Sequence, residues 1–106
     1  MSEVEETIGR IKTHGSVEGL IIVNNEENII RNTLGPERKE LSETIVRTIP
    51  PLAKKARSVI RDLDPNNNLT FLRMRSKNIE IMVAPDESYM LIVVQRTGEA
   101  KKEDSQ

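Results

Sequence analysis

Residues 65–95 read PNNNLTFLRMRSKNIEIMVAPDESYMLIVVQ, and this stretch decides the fold. Apolar and polar side chains alternate along residues 69–75 and again along 79–83, and a third apolar run covers 89–95. Turn-forming residues separate the runs at 76–78 and at 85–88. Alternation with a period of two, interrupted by short turns, predicts three antiparallel strands in a meander.

Upstream of the meander, the pattern predicts a short helix and two further strands. Ser2 and Glu5 have the spacing of a capping box, and Gly15 supplies a helix stop after residues 2–14. Residues 17–24 are apolar on both faces, which is typical of a central strand, and residues 29–34 return beside it. These elements precede the long helical segment that leads into the meander.

The long helical segment covers residues 37–63. Its apolar residues keep one helical phase from Leu41 to Leu63. Pro50 and Pro51 stand in the middle, and each proline removes a backbone hydrogen bond and clashes with the preceding turn at a cost of about 3 kcal/mol. We therefore predict a break or sharp kink at this pair, with both halves packed on the same face of the sheet.

The predicted fold class is α+β, in the order helix, two strands, long helix, three strands. The five strands form one antiparallel sheet, with helices on both faces. A single short N-terminal helix is a poor cover for its face, which leaves apolar surface for a partner. Residues 1–96 make up the domain, and the charged residues 97–106 are expected to form a disordered tail.

Composition excludes several functional classes. The chain has 106 residues, a net charge of −1 and no cysteine, so nothing favours general attraction to nucleic acid or disulfide chemistry. No apolar run approaches the roughly 20 residues that cross a bilayer, so we expect a soluble cytosolic protein. His14 is the single histidine, and no phosphate-binding glycine loop occurs. We expect no cofactor, no metal and no enzymatic activity.

Two groups of basic residues allow more than one interpretation. Those of the long helix could touch RNA, but a solvated helix face is favoured because no aromatic platform accompanies them. Arg73 and Arg75 alternate on one strand face. They could line an acidic partner or could guard an edge strand from aggregation, and the sequence leaves both open.

These segments together resemble the roadblock-type dynein light chains from about residue 4 to residue 95. The stretches that carry the resemblance are VEG at 17–19, VNNE at 23–26, KARS at 55–58, RD at 61–62, DPNNNLTFLR at 64–73, RSK at 75–77 and EIMVAPD at 80–86. A collinear match of this length is far more specific than a short motif, and it agrees with the order of elements derived above.

The resemblance implies a noncatalytic subunit of the cytoplasmic dynein motor. It implies a homodimer, or a heterodimer with a sibling light chain, in which the third strand and the long helix pair across a two-fold axis and join two sheets. The expected interface residues are Leu52, Ala56, Arg57, Ile60, Leu69, Phe71, Leu72, Arg73 and Arg75. Candidate residues for binding the dynein intermediate chain, and cargo adaptors, are Ile45, Ile49, Lys54, Lys55 and Arg61. The implied location is the cytoplasm, on the microtubule cytoskeleton.

Two features depart from the family pattern. The first hairpin turn has Glu27 and Asn28 where relatives usually have a glycine, and Asn28 can still tolerate a left-handed conformation. The Pro50–Pro51 pair interrupts a helix that relatives keep continuous. An alternative function is a scaffold or regulator of small GTPases, because the wider superfamily includes such modules.

Overall fold

A computed structural model describes residues 17–97 of the chain. The elements are β1 (Val17–Asn24), β2 (Ile29–Asn32), a 3-10 turn (Pro36–Arg38), α1 (Lys39–Leu63), β3 (Leu72–Arg75), β4 (Ile79–Pro85) and β5 (Tyr89–Arg96). The strands form one antiparallel sheet in the order β2-β1-β5-β4-β3. The predicted α+β fold with a five-stranded sheet and one long helix is thereby confirmed.

Both ends of the chain carry predictions that lie outside the described residues. These are the N-terminal helix at 2–14 and all of the tail except Thr97. Thr97 is buried, its N–H donates to the Asn78 carbonyl at 3.1 Å, and its hydroxyl donates to the Lys77 carbonyl.

Within residues 17–97, the structure has no helix that is both long and apolar enough to cross a membrane.

The centre of the sheet is formed by β1 and β5, which pair in register from Gly19 opposite Val94 to Asn24 opposite Tyr89. Leu20, Ile21, Ile22 and Val23 are all buried, so successive side chains on β1 are shielded on opposite faces. This matches the prediction that the first strand is central. A bulge between Ile22 and Val23 interrupts the pairing of β1 with β2.

The helix α1 covers one face of the sheet and builds the main core with it. Ile45, Ile49 and Ala53 project from the helix at a spacing of four residues and are almost fully buried. The strand residues that complete this core are Ile21, Val23, Val83, Met90, Ile92 and Val94. Burying an isoleucine contributes about 1.5–3 kcal/mol, so these contacts fix the helix on the sheet.

Of the predicted break or sharp kink at the two prolines, the break is wrong, because α1 runs from Lys39 to Leu63 with both prolines inside it. The φ angle of proline is compatible with a helix. Because Pro50 and Pro51 have no backbone N–H, the carbonyls of Val46 and Arg47, four residues earlier, lose the hydrogen bonds that they would otherwise accept. Pro50 is itself buried, and Ile49 and Ala53 beside it lie in the core. Tertiary packing around the pair therefore holds a helix that local preference alone would interrupt.

Two strands are shorter than the sequence suggested. β2 ends at Asn32 and not at residue 34, because the Asn32 side chain accepts the N–H of Leu34 at 2.9 Å and turns the backbone. β3 begins at Leu72 and not at residue 69, so Leu69 and Phe71 precede the strand. Its pairing with β4 runs only from Leu72 opposite Val83 to Arg75 opposite Glu80.

The first hairpin places its left-handed residue at Glu27, although Asn28 could also tolerate that conformation. Glu27 has a φ of 65°, whereas Asn28 is not in the left-handed region. Asn24 organises this turn, since its side-chain oxygen accepts the N–H groups of Glu26 and Asn28 at 2.9 and 3.0 Å. These bonds place Glu27 at the tip, where a residue other than glycine costs roughly 1–2 kcal/mol.

Candidate functional site

The second half of α1 carries apolar side chains that the described chain does not cover. The buried stripe of the helix ends at Ala53, and no later helix residue is fully buried. The same helical face continues, and Leu63 is 77% exposed. We call this set the uncovered helix row: Leu52, Val59 and Leu63, which are exposed, and Ala56 and Ile60, which are half-buried among them.

The strand β3 lies at one edge of the sheet, as the resemblance implied. It pairs with β4 on one side and has no described strand on the other. Leu72 and Met74 are half-buried and pack against the core on the α1 side, whereas Arg73 and Arg75 stand on the opposite face. An edge strand with free backbone groups is a template for pairing with another chain.

The loop between α1 and β3 connects the uncovered helix row to this edge. Arg61 donates from Nε and Nη2 to the Asn68 side-chain oxygen at 3.1 and 2.8 Å, and Asp64 closes the helix with an N–H bond to the Ile60 carbonyl at 2.9 Å. Leu69 is half-buried in the same loop. The helix end and the loop are therefore tied together by hydrogen bonds, and the loop runs on into the edge strand.

A second apolar surface lies on the face of the sheet opposite α1. It is a groove with a volume of about 430 Å³. Phe71, which is 50% exposed, forms one side of it. We call it the sheet groove, and its lining residues are Val17, Phe71, Met82, Ala84, Leu91, Val93 and Gln95.

A charged cluster stands beside the sheet groove. The Arg73 guanidinium donates to both oxygens of Glu80, from Nε at 2.7 Å and from Nη2 at 3.1 Å, and Arg75 Nε lies 3.3 Å from the same carboxylate. Glu80 is only 3% exposed. The hydrogen bonds from Arg73 lower the pKa of Glu80 against the opposing effect of burial, and they raise the pKa of Arg73.

The expected partner-binding residues fall into two groups. Ile45 and Ile49 lie in the core between α1 and the sheet, because the helix turns them toward β1 and β5. They are therefore not available on the surface of the protomer. Lys54, Lys55 and Arg61 are exposed, with Lys54 Nζ 3.5 Å from the Glu27 carboxylate.

The expected interface residues are distributed differently. All of them are exposed or half-buried. Four lie on the second half of α1, and five lie on β3 or in the loop that leads into it. The structure thus brings the residues of the prediction onto adjoining elements, while Phe71 also takes part in the sheet groove.

Sequence reasoning missed several residues of these surfaces. Val59 and Leu63 share the helical phase from Leu41 onward, and that phase was the available signal for them. Met82 and Leu91 alternate with core residues on β4 and β5, so a two-faced strand was the signal for the sheet groove. Glu80 had no local signal, because its burial depends on arginines that β3 places across the strand pair.

The described residues offer no metal-binding arrangement. Residues 17–97 contain no group of three or more histidine, cysteine or acidic side chains that could hold a metal ion. The surfaces found here are apolar, with arginines at one margin. They are suited to protein contacts.

A family model described as the Roadblock/LC7 domain matches residues 3–96. The match covers every described element from β1 to β5.

Proposed function

The chain belongs to the Roadblock/LC7 domain family, and from this premise we propose that it is a dimeric, non-catalytic light chain of the cytoplasmic dynein motor. The family is generally one of non-catalytic adaptors that form dimers and bind partners. In the proposed role, the dimer binds the dynein intermediate chain and helps to link cargo for transport along microtubules. It acts in the cytoplasm on the microtubule cytoskeleton.

Two observations carry the proposal: the uncovered helix row on α1, and the position of β3 at an edge of the sheet with no described strand beyond it. Leu52, Val59 and Leu63 are large apolar side chains with more than two-fifths of their surface exposed. An apolar strip joined to an unpaired strand edge would favour aggregation in an isolated protomer. Pairing with a second copy about a two-fold axis buries the strip and satisfies the edge at the same time.

The geometry of such a dimer follows from the element positions. Antiparallel pairing of β3 with its symmetry mate would join two five-stranded sheets into one. Because α1 covers one face near this edge, the second halves of the two helices would meet on that face. The two sheet grooves would then lie on the opposite face, on either side of the seam.

The assignment to dynein is supported by the stretches that resemble the dynein light chains. KARS at 55–58 lies on the second half of α1, DPNNNLTFLR at 64–73 forms the loop into β3, and EIMVAPD at 80–86 covers β4. These stretches therefore coincide with the proposed dimer surface and one wall of the sheet groove. We propose that a segment of the intermediate chain docks in the sheet groove, with Lys54, Lys55 and Arg61 available to other partners.

The test is affinity capture from cell lysate with the wild-type chain and mass spectrometry of the bound proteins. We expect dynein intermediate-chain peptides to be enriched over a matched variant, Leu52→Glu, which replaces one apolar side chain of the uncovered helix row. Recovery of a small GTPase in a nucleotide-dependent manner, without dynein subunits, would support the alternative of a GTPase scaffold and would contradict the dynein proposal.

A further inference from the structure

We propose that the sheet groove binds a partner segment with apolar side chains at one end and aspartate or glutamate at the other, and that Arg73 and Arg75 select the acidic residues. This inference rests on the proposed function and deepens it, because it states the chemistry of the segment that the light chain holds. It also decides between the two interpretations of these arginines that the sequence left open.

The side chains across the sheet groove change in character from one end to the other. Strand pairing arranges three rows on the face opposite α1, and they change from apolar to charged along the strand direction. From the apolar end to the charged end the rows are Leu91 and Ala84; Val93, Met82 and Arg73; and Gln95, Glu80 and Arg75. Phe71 precedes β3 and lines the same groove. A bound segment therefore meets hydrocarbon at one end and guanidinium groups at the other.

The arginine end of the sheet groove has a net positive charge. Two arginines face one glutamate, so the cluster keeps one net positive charge on each protomer. Glu80 is buried, whereas the side chains of Arg73 and Arg75 are 57% and 66% exposed. Arg75 approaches Glu80 through Nε, and a guanidinium has five donors, so most of its donors are available to a further carboxylate.

The contacts of Arg73 and Arg75 favour selection of a partner over protection of an edge strand. Exposed, freely moving charges are sufficient to protect an edge strand. Here a buried carboxylate holds Arg73 by two hydrogen bonds and lies 3.3 Å from Arg75 Nε on the face of the groove. Side chains that are already held in place lose less conformational entropy on binding, which is the property expected of a recognition site.

The proposed dimer would bring the arginine clusters of the two copies together. Since both arginines lie on β3, pairing of two β3 strands would bring the two clusters to the seam, with a sheet groove outside each of them. The positive charge would then double at the centre of the joined sheet. An acidic segment that crosses toward the seam gains from both clusters, and a basic segment is repelled.

The test begins with a selection from a library of random displayed peptides against the full wild-type chain. We expect the enriched peptides to combine apolar residues with aspartate or glutamate and to bind less tightly as salt rises. Arg75→Gln should weaken these peptides by about tenfold or more, and Leu91→Gln should weaken them at the apolar end. Arg47→Gln is the matched control, because it removes an exposed arginine of α1, which covers the face of the sheet opposite the groove. This variant should leave the affinity unchanged.

Several outcomes would overturn the inference. These are enriched peptides with no acidic bias, an absence of any enriched peptide, or equal affinity for wild type and Arg75→Gln. A further one concerns the chain's own acidic residues: if replacing Glu3, Glu5 and Glu6 by glutamine raises the affinity about tenfold, the occupant is the chain's own N-terminal segment.

The oligomeric state of the same samples keeps this inference separate from the proposed function. A wild-type monomer by sedimentation would count against the proposed dimer, whatever the peptides show. If wild type and Arg75→Gln are both dimers and acidic peptides still show no preference for wild type, only the inference about charge fails. Release of dimers into monomers by the peptides would show that the groove belongs to the contact between copies, and would overturn it as well.

Discussion

The two halves of α1 have the same apolar phase but very different surroundings. In the first half, Ile45 and Ile49 lie under the sheet with almost no exposed surface. In the second half, Val59 and Leu63 occupy equivalent helical positions and remain exposed. Pro50 and Pro51 stand at the boundary, without interrupting the helix.

This difference shows that periodicity alone does not say what an apolar face will contact. The first half completes the core of its own chain. The second half continues the same face beyond the residues that the sheet buries, and the loop that follows it leads into β3 at the edge of the described sheet. We infer that the first half stabilises the protomer and the second half holds a second copy. The following experiments test that division.

The largest effect is expected in the first half. Ile45→Ala should lower the free energy of unfolding by about 2–5 kcal/mol, because it leaves a cavity between α1 and the sheet. The loss should be visible in urea unfolding at every protein concentration. Leu63→Ala is the comparison in the second half, and its smaller effect should depend on protein concentration, as expected when a residue acts through association. Equal, concentration-independent losses would remove the distinction between the halves.

The next effect concerns association. Leu52→Glu should weaken the dimer by about 100-fold or more, because a charge at the centre of an apolar contact remains without a partner. Analytical ultracentrifugation over a range of concentrations measures this change. Thr44→Glu adds the same charge at an exposed position of the first half and should leave the dimer intact. A dimer that tolerates Leu52→Glu as well as Thr44→Glu would exclude the uncovered helix row from the interface.

The boundary between the halves gives a stabilising substitution. Pro51→Ala should raise the free energy of unfolding by about 1–3 kcal/mol, since the Arg47 carbonyl regains a hydrogen bond in a helix that is already continuous. Pro51 is exposed, so alanine removes no core packing. Pro36→Ala is the control at the start of the 3-10 turn, where the missing N–H has little cost. Chemical unfolding of both variants decides the point, and unchanged or lower stability of Pro51→Ala would contradict it.

The smallest effect is expected from pH. The pKa of Glu80 is lowered mainly by its hydrogen bonds with Arg73. A carboxyl group with a lowered pKa stabilises the fold above its unfolded pKa, and that contribution is lost as the pH falls through its folded pKa. Stability should therefore decline below the ordinary glutamate value of 4.5.

Glu80→Gln should make this acid decline shallower. Urea midpoints across the acid range measure the slope, and Glu43→Gln, which changes an exposed glutamate of α1, should retain the wild-type slope. The same slope in all three proteins would mean that the contact between Glu80 and Arg73 does not contribute to folding.

Much of the fold could be predicted from the sequence, because its elements have strong local signals. Alternation along residues 79–83 and apolar runs at 17–24 and 89–95 located β4, β1 and β5 within two residues at each end. The edge position of the third strand was also correct, although the strand begins three residues later at Leu72.

The errors arose where contacts distant in sequence outweigh local preference. The rules for proline predicted a break at Pro50, but packing of Ile49 and Ala53 on the sheet maintains the helix. The sheet groove was not predicted in detail, since it forms only when Phe71, Met82 and Leu91 come together from three segments. Ile45 and Ile49 were expected to bind a partner, because the apolar pattern did not show where the sheet ends beneath the helix.

The most direct test of the account is the mass of the wild-type protein in solution. Sedimentation equilibrium at about 10 µM should give twice the chain mass of 12.0 kDa, because we propose that the second half of α1 and the edge of β3 are buried between two copies. A folded species of 12.0 kDa at that concentration would contradict the central claim.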